Sequence, residues 1–133
     1  MGQISILYSI TAESQAKKAV SDYFGIKMPV LENWLHAFVY VRNICAHHAR
    51  LWNKELSIQI KFPKKINRIW LSSGNINSRK IYEVLGIITY FLDTIVPKNT
   101  FRKKLDRLFF KYPNIDFSAM GFPVNWKKDP FWN

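Results

Sequence analysis

The 133-residue chain has a single cysteine, Cys45, which excludes an internal disulfide framework and any zinc module built on several thiolates. Acid is scarce: nine Asp plus Glu stand against twenty Lys plus Arg, a formal charge of +11. Glycine (five) and proline (six) are also few, while 48% of residues are hydrophobic. That balance excludes a disordered tail, a collagenous repeat or a flexible linker. No apolar run approaches membrane length. The most apolar window, Val84 to Leu92, lies between Glu83 and Asp93 and is far short of the roughly 20 residues a spanning helix needs. The N-terminus lacks a basic stretch followed by a long apolar segment, so no targeting segment is expected. The lone thiol fits the reducing cytoplasm. What is abundant is aromatic residues (16%) and cations, a combination drawn to polyanions such as nucleic acid or an anionic membrane surface.

Punctuation along the chain predicts an all-α fold. Thr11 or a neighbour opens a helix that Gly25 stops after Phe24, and Pro29 suits the first position of the next. Leu31 to Trp52 contains no Gly or Pro and is the longest unbroken helical pattern. Residues near 57–72 alternate weakly and read as a short hairpin or an irregular connector. Ser78 caps a helix from Arg79 to about Val96, and Asn99 or Thr100 opens a last one ending near Tyr112 and Pro113. The tail from Asn114 is expected to pack as an extended strap. These elements make one domain, residues 1–133, built as a bundle of four to five helices.

The long helix carries the chemistry. Winding 31–54 at about 100° per residue puts Trp34, Phe38, Val41, Cys45 and Trp52 on one side. Opposite them, Glu32, His36, Tyr40, Asn43, His47 and Arg50 form a polar seam. An ordinary solvated face is Lys, Glu and Gln; this seam is built from residues that bind, orient or transfer protons. Asn43 stands one turn from His47, within reach to orient its imidazole. Arg42 lies about 100° around from Asn43, so it joins His47 only if its arm wraps round, the helix ends locally, or a second copy completes the site. His48 points away from His47 and reads as a packing or supporting residue. Cys45 and His47 diverge by about 160°, which argues against a shared metal and leaves Cys45 as a structural thiol. Glycine-rich phosphate loops, nucleophile elbows and zinc-ligand patterns are missing, so neither metal nor cofactor is expected.

Arg and His with Asn between them, on a basic protein, suit metal-free cleavage of RNA. Histidine moves a proton near neutral pH, arginine holds the phosphate, and the substrate's own 2′-hydroxyl is the nucleophile.

Arg42-Asn43-Ile44-Cys45-Ala46-His47 resembles the Arg-Asn-x-x-x-His signature of HEPN ribonuclease domains. The longer block from Arg42 to Asn53 resembles the abortive-infection (Abi) proteins of the AbiD/AbiF type, bacterial phage-defence factors. Trp34-Leu35-His36, Met120-Gly121-Phe122-Pro123, Trp126 and Asp129-Pro130-Phe131-Trp132 fit the same family. The resemblance implies a HEPN-like helical fold, endoribonuclease activity, and a homodimer whose two motifs face one cleft. It also implies Arg42 and His47 as catalytic, with Asn43 orienting the histidine. Abi proteins of this type are usually longer, so the chain resembles their C-terminal portion, and an exposed apolar surface is expected where more chain or a partner would sit.

Around that centre, His36, Tyr40, His48 and Arg50 are candidates for the groove, with Tyr40 either stacking on a base or serving as a structural hydroxyl. Two basic clusters are candidates for the RNA backbone. One is Lys61, Lys64, Lys65 and Arg68; the other is Lys104, Arg107 and Lys111, which share a face of the last helix while Phe101, Leu105 and Leu108 hold another to the core. The expected partners are RNA, a second copy of the chain, and an antitoxin protein or RNA, with no membrane. The competing reading is a non-catalytic RNA-binding or protein-interaction module.

Overall fold

A computed structural model describes residues 15–72 and 79–133. It shows four α-helices: α1 Gln15–Phe24, α2 Met28–Ala46, α3 Ile81–Ile95 and α4 Phe101–Lys111, followed by 3-10 turns at Trp126–Lys128 and Pro130–Trp132. No strand occurs among the described residues, so the chain is all-α and residues 57–72 are the irregular connector rather than a hairpin. The expected caps at Thr11 and Ser78 lie outside the described residues.

Each helix boundary has a local cause. Gly25 stops α1 at φ +63°, a backbone geometry that costs glycine nothing. Pro29 sits in the first turn of α2, where its missing N–H is no loss. The side-chain oxygen of Asn99 accepts from the amide of Phe101 at 3.0 Å, capping α4 from just outside.

The apolar helix α3 is the hub. Tyr82, Val84, Ile87 and Tyr90 are buried on it, and Gly86 lets the connector come so close that an added Cβ would lie 2.6 Å from Leu71. On one side α2 contributes Trp34, which stacks on Trp70 of the connector at 4.8 Å and meets Tyr90 edge-on at 5.6 Å. On the other side the tail adds Phe117, Phe122, Trp126 and Trp132 to Phe109 of α4 and Tyr82 of α3. The tail is therefore not an extended strap. It coils through successive turns so that closely spaced aromatics converge on one small core.

The connector lacks a ladder and borrows side chains of α2 to satisfy its backbone. The Asn33 amide donates to the Gln59 carbonyl at 3.0 Å and accepts from the Lys61 amide at 2.8 Å. The indole N–H of Trp34 donates to the Lys61 carbonyl at 2.9 Å. One helix face thus does what a neighbouring strand would otherwise do.

Candidate functional site

The Arg-Asn-x-x-x-His motif straddles the end of α2. The helix stops at Ala46, not at Trp52 as the unbroken pattern predicted. Two bonds close it: the His48 amide donates to the Cys45 carbonyl at 3.0 Å, and the Ala49 amide reaches back to the Ile44 carbonyl at 3.1 Å. This is the Schellman arrangement, whose turning residue needs a positive φ. His48 provides it at φ +52°, an unusual task for a side chain other than glycine. The reversal explains why sequence missed it: neither Gly nor Pro marks the position.

The consequence is that angles projected past residue 46 do not hold. Trp52, expected on the core side, is 44% exposed. Arg50 is exposed beyond the reversal and does not continue the seam. Cys45 is also exposed, which corrects its reading as a packed structural thiol. His48 is exposed as well, so it acts through its backbone rather than by packing.

Within α2, Arg42 wraps around to its neighbour. Its guanidinium donates to the Asn43 side-chain oxygen at 3.0 Å. Asn43 therefore holds the arginine, while its link to His47 is through the backbone, with the His47 amide donating to the Asn43 carbonyl at 3.1 Å. His47 and Arg42 are exposed, and the His47 imidazole has no hydrogen-bond partner among the described residues. His36 is likewise exposed one face upstream.

Two members of the polar seam have structural partners. Glu32 pairs with the buried Lys17 of α1, tying the two helices together. The phenol of Tyr40 shares a hydrogen with the Ser57 hydroxyl at 3.0 Å and accepts from the Ser57 amide at 3.3 Å. These bonds hold the phenol below its ordinary pKa and give its hydroxyl a partner in the connector.

The basic residues divide between two places. Lys61, Lys64 and Lys65 are exposed and, with Lys27 and Pro29, line a cavity of about 610 Å³ beside the start of α2. Arg68 is exposed further along the connector. Lys104, Arg107 and Lys111 are exposed on α4. The expected apolar face of that helix needs adjustment: Leu108 is 47% exposed, and Phe109 is the buried anchor. Sequence reading also passed over Trp52, Leu108 and Tyr112 as a surface group, because each reads singly as core; they line one groove.

Among the described residues no three His, Cys, Asp or Glu side chains converge as metal ligands, and no helix is long and apolar enough to cross a membrane.

Fold and site together define a basic, all-helical protein that presents an arginine and a histidine openly at the end of one helix. Residues 1–53 match the family model described as Abi-like protein, so over that segment the chain is similar to Abi-like proteins. The matched segment ends at Asn53 and so contains the whole block from Arg42 to Asn53. No curated protein and no solved structure matches. The family's name carries the theme of abortive infection, a form of phage defence.

Proposed function

We propose that this protein is a metal-independent endoribonuclease of the HEPN type that acts in abortive infection. The observation that carries the reading is the open presentation of His47 beside the Arg42–Asn43 pair, inside the Abi-like segment. A buried imidazole would be unreachable by a phosphodiester; this one stands at an exposed helix end.

In the proposed reaction a base takes the proton of the substrate's 2′-hydroxyl, and that oxygen attacks the adjacent phosphorus. The bond to the 5′-oxygen breaks, and the departing oxygen receives a proton. The products are a 2′,3′-cyclic phosphate and a free 5′-hydroxyl. His47 supplies the imidazole, and Arg42 offsets charge as it builds on the phosphoryl oxygens. In a homodimer a second motif would enter the same cleft, providing one imidazole to accept a proton and another to donate it. RNA is the substrate class, the cytoplasm the setting, and an antitoxin protein or RNA the natural restraint on such an activity.

The test is cleavage of a labelled single-stranded RNA by the purified chain in EDTA, with analysis of product ends. Cleavage that survives chelation, yields cyclic phosphate ends and disappears in folded Arg42→Ala and His47→Ala proteins supports the reading. Cleavage that needs added Mg²⁺ overturns it.

One observation favours a second reading, a non-catalytic RNA-binding or protein-interaction module. Asn43 is engaged by Arg42, and nothing among the described residues orients the His47 ring. That reading expects salt-sensitive RNA binding without product, unchanged by His47→Ala.

A further inference from the structure

A groove of about 700 Å³ runs between the segment just after the motif and the end of α4. Its walls include Trp52, Leu108, Tyr112, Ile115 and Met120, with Lys111 at the edge. Trp52, Leu108 and Tyr112 are 44, 47 and 48% exposed, so three large apolar side chains face solvent together. Most of the described aromatics are buried or half-buried, yet a tryptophan and a tyrosine are exposed together on this surface.

The surroundings of the groove are cationic. Lys104, Leu108 and Lys111 succeed one another at helical neighbour spacing, so Leu108 sits among cations, with Arg107 alongside. The Lys111 ammonium lies 5.4 Å from the centre of the Tyr112 ring. The carboxylate in the lining, Asp116, is occupied locally: one of its oxygens accepts from the Ser118 hydroxyl at 2.6 Å and from the Ser118 and Ala119 amides at 2.9 and 3.2 Å. The chain also sets a limit on reach. Trp52 is five residues after His47, so the backbone between them spans at most about 18 Å.

We infer that this groove is a subsite for unpaired bases of single-stranded RNA, with one or two bases seated against Trp52 and Tyr112 and the phosphates following Lys104, Arg107 and Lys111. The inference rests on RNA as the ligand class proposed above. Base-on-aromatic stacking beside a cationic track is the physical pattern by which proteins hold single strands, because every base has a flat face and every linkage a negative charge. A duplex does not fit, since its bases are already stacked on one another. An acidic amphipathic helix would need an apolar trough several turns long, whereas this volume suits a small ligand and the flanking α4 has only 11 residues.

The test uses the full chain carrying His47→Ala, so that RNA remains intact, and a fluorescein-labelled 12-nucleotide RNA read by anisotropy. The single strand should bind more tightly than the same strand annealed to its complement. Trp52→Ala and Tyr112→Ala should each weaken single-strand binding at least about fivefold, whereas Trp52→Phe keeps most of it. Phe110→Ala, an exposed aromatic outside this groove, should change nothing. Lys111→Ala should weaken binding to all sequences alike and make it less salt-dependent. Equal affinity for the duplex, or unchanged affinity in both aromatic variants, overturns the inference. So does a groove that binds labelled polyglutamate, with Trp52→Ala abolishing that binding while RNA affinity is unaltered. Tight single-strand binding through Trp52, together with no RNA cleavage by the parent chain with His47 intact, would remove the nuclease reading alone. Cleavage that depends on Arg42 and His47 but ignores Trp52 would remove the subsite alone.

Discussion

The Arg42 guanidinium is held 3.0 Å from the side-chain oxygen of Asn43, its immediate neighbour in the chain. Adjacent residues on a helix normally diverge, so this contact exists because a long arm bends back along the surface. It fixes where the positive charge stands relative to the end of α2. Asn43→Ala should therefore leave the fold within about 0.5 kcal/mol of the parent, because the site is largely exposed. RNA cleavage should fall roughly tenfold, the scale of one hydrogen bond to a charged group. Paired thermal melts and initial cleavage rates check this, and a normal rate would show that Asn43 has no part in placing Arg42.

His48 occupies left-handed backbone at φ +52°. A Cβ there costs about 1–2 kcal/mol, partly balanced by the larger entropy that glycine loses on folding. His48→Gly should accordingly raise stability by about 0.5–1 kcal/mol in urea unfolding. His48→Val should lower it, because a β-branched side chain suits that region least. The opposite order would mean the turn after α2 is not the one described.

Glu83 is fully buried in the first turn of α3, and neither carboxylate oxygen has a hydrogen-bond partner among the described residues. Burial pushes its pKa up to about 8, against a weaker pull from the nearby amides of Glu83 and Lys80. Between the ordinary value of 4.5 and about 8, the folded chain keeps a proton that the unfolded chain has released. Stability must then decline as pH rises through that window and be greatest below it. Each pH unit of the window is worth about 1.4 kcal/mol at most. Glu83→Gln should flatten the decline and raise the melting temperature at pH 8. Denaturation series at pH 5, 6.5 and 8 measure both effects.

Arg102 ties α4 to α3 and to the tail at once. Its guanidinium meets both oxygens of Asp93 at 2.8 and 2.7 Å and donates to the Phe131 carbonyl at 3.1 and 2.7 Å. Burial raises the Asp93 pKa, but hydrogen bonds from Arg102 and Asn99 outweigh it and hold the carboxyl below its ordinary value. This contribution to stability is present above the unfolded carboxylate pKa and is lost as pH falls through the lower folded one. Arg102→Met should cost about 2–3 kcal/mol near neutral pH, and Arg102→Lys should recover only part, because an ammonium cannot make the two-pronged contact. Equal unfolding midpoints for parent and Arg102→Met would refute the role of this clasp.

Much of the helical skeleton could be read from the amino acids because apolar spacing and turn residues act locally. The Val84–Leu92 run became the buried heart of α3, and Gly25 marked the end of α1. The end of α2 could not be read. Histidine replaced glycine at the turning position, so composition gave no sign that the periodicity stops at Ala46. That single reversal moved Trp52 from expected core to surface and took Arg50 out of register. The tail misled for a different reason: its aromatics gather across turns around Tyr82 of α3, 40 and 50 residues upstream of Phe122 and Trp132, which spacing alone does not encode. Of the seam, Tyr40 and Glu32 were claimed by Ser57 and Lys17, partners that only the fold brings near.

The stop at Ala46 also sets how the motif's arginine and histidine are mounted. Arg42 rises from continuous helix, where shifting the backbone would break several hydrogen bonds at once. His47 stands at the cap, with backbone angles of −89° and 15° that have already left the helical well. Arg42 is thus rooted in the helix body, whereas His47 is fastened at its margin by the capping bonds of residues 47–49. The two side chains are carried on unlike supports, one embedded and one terminal.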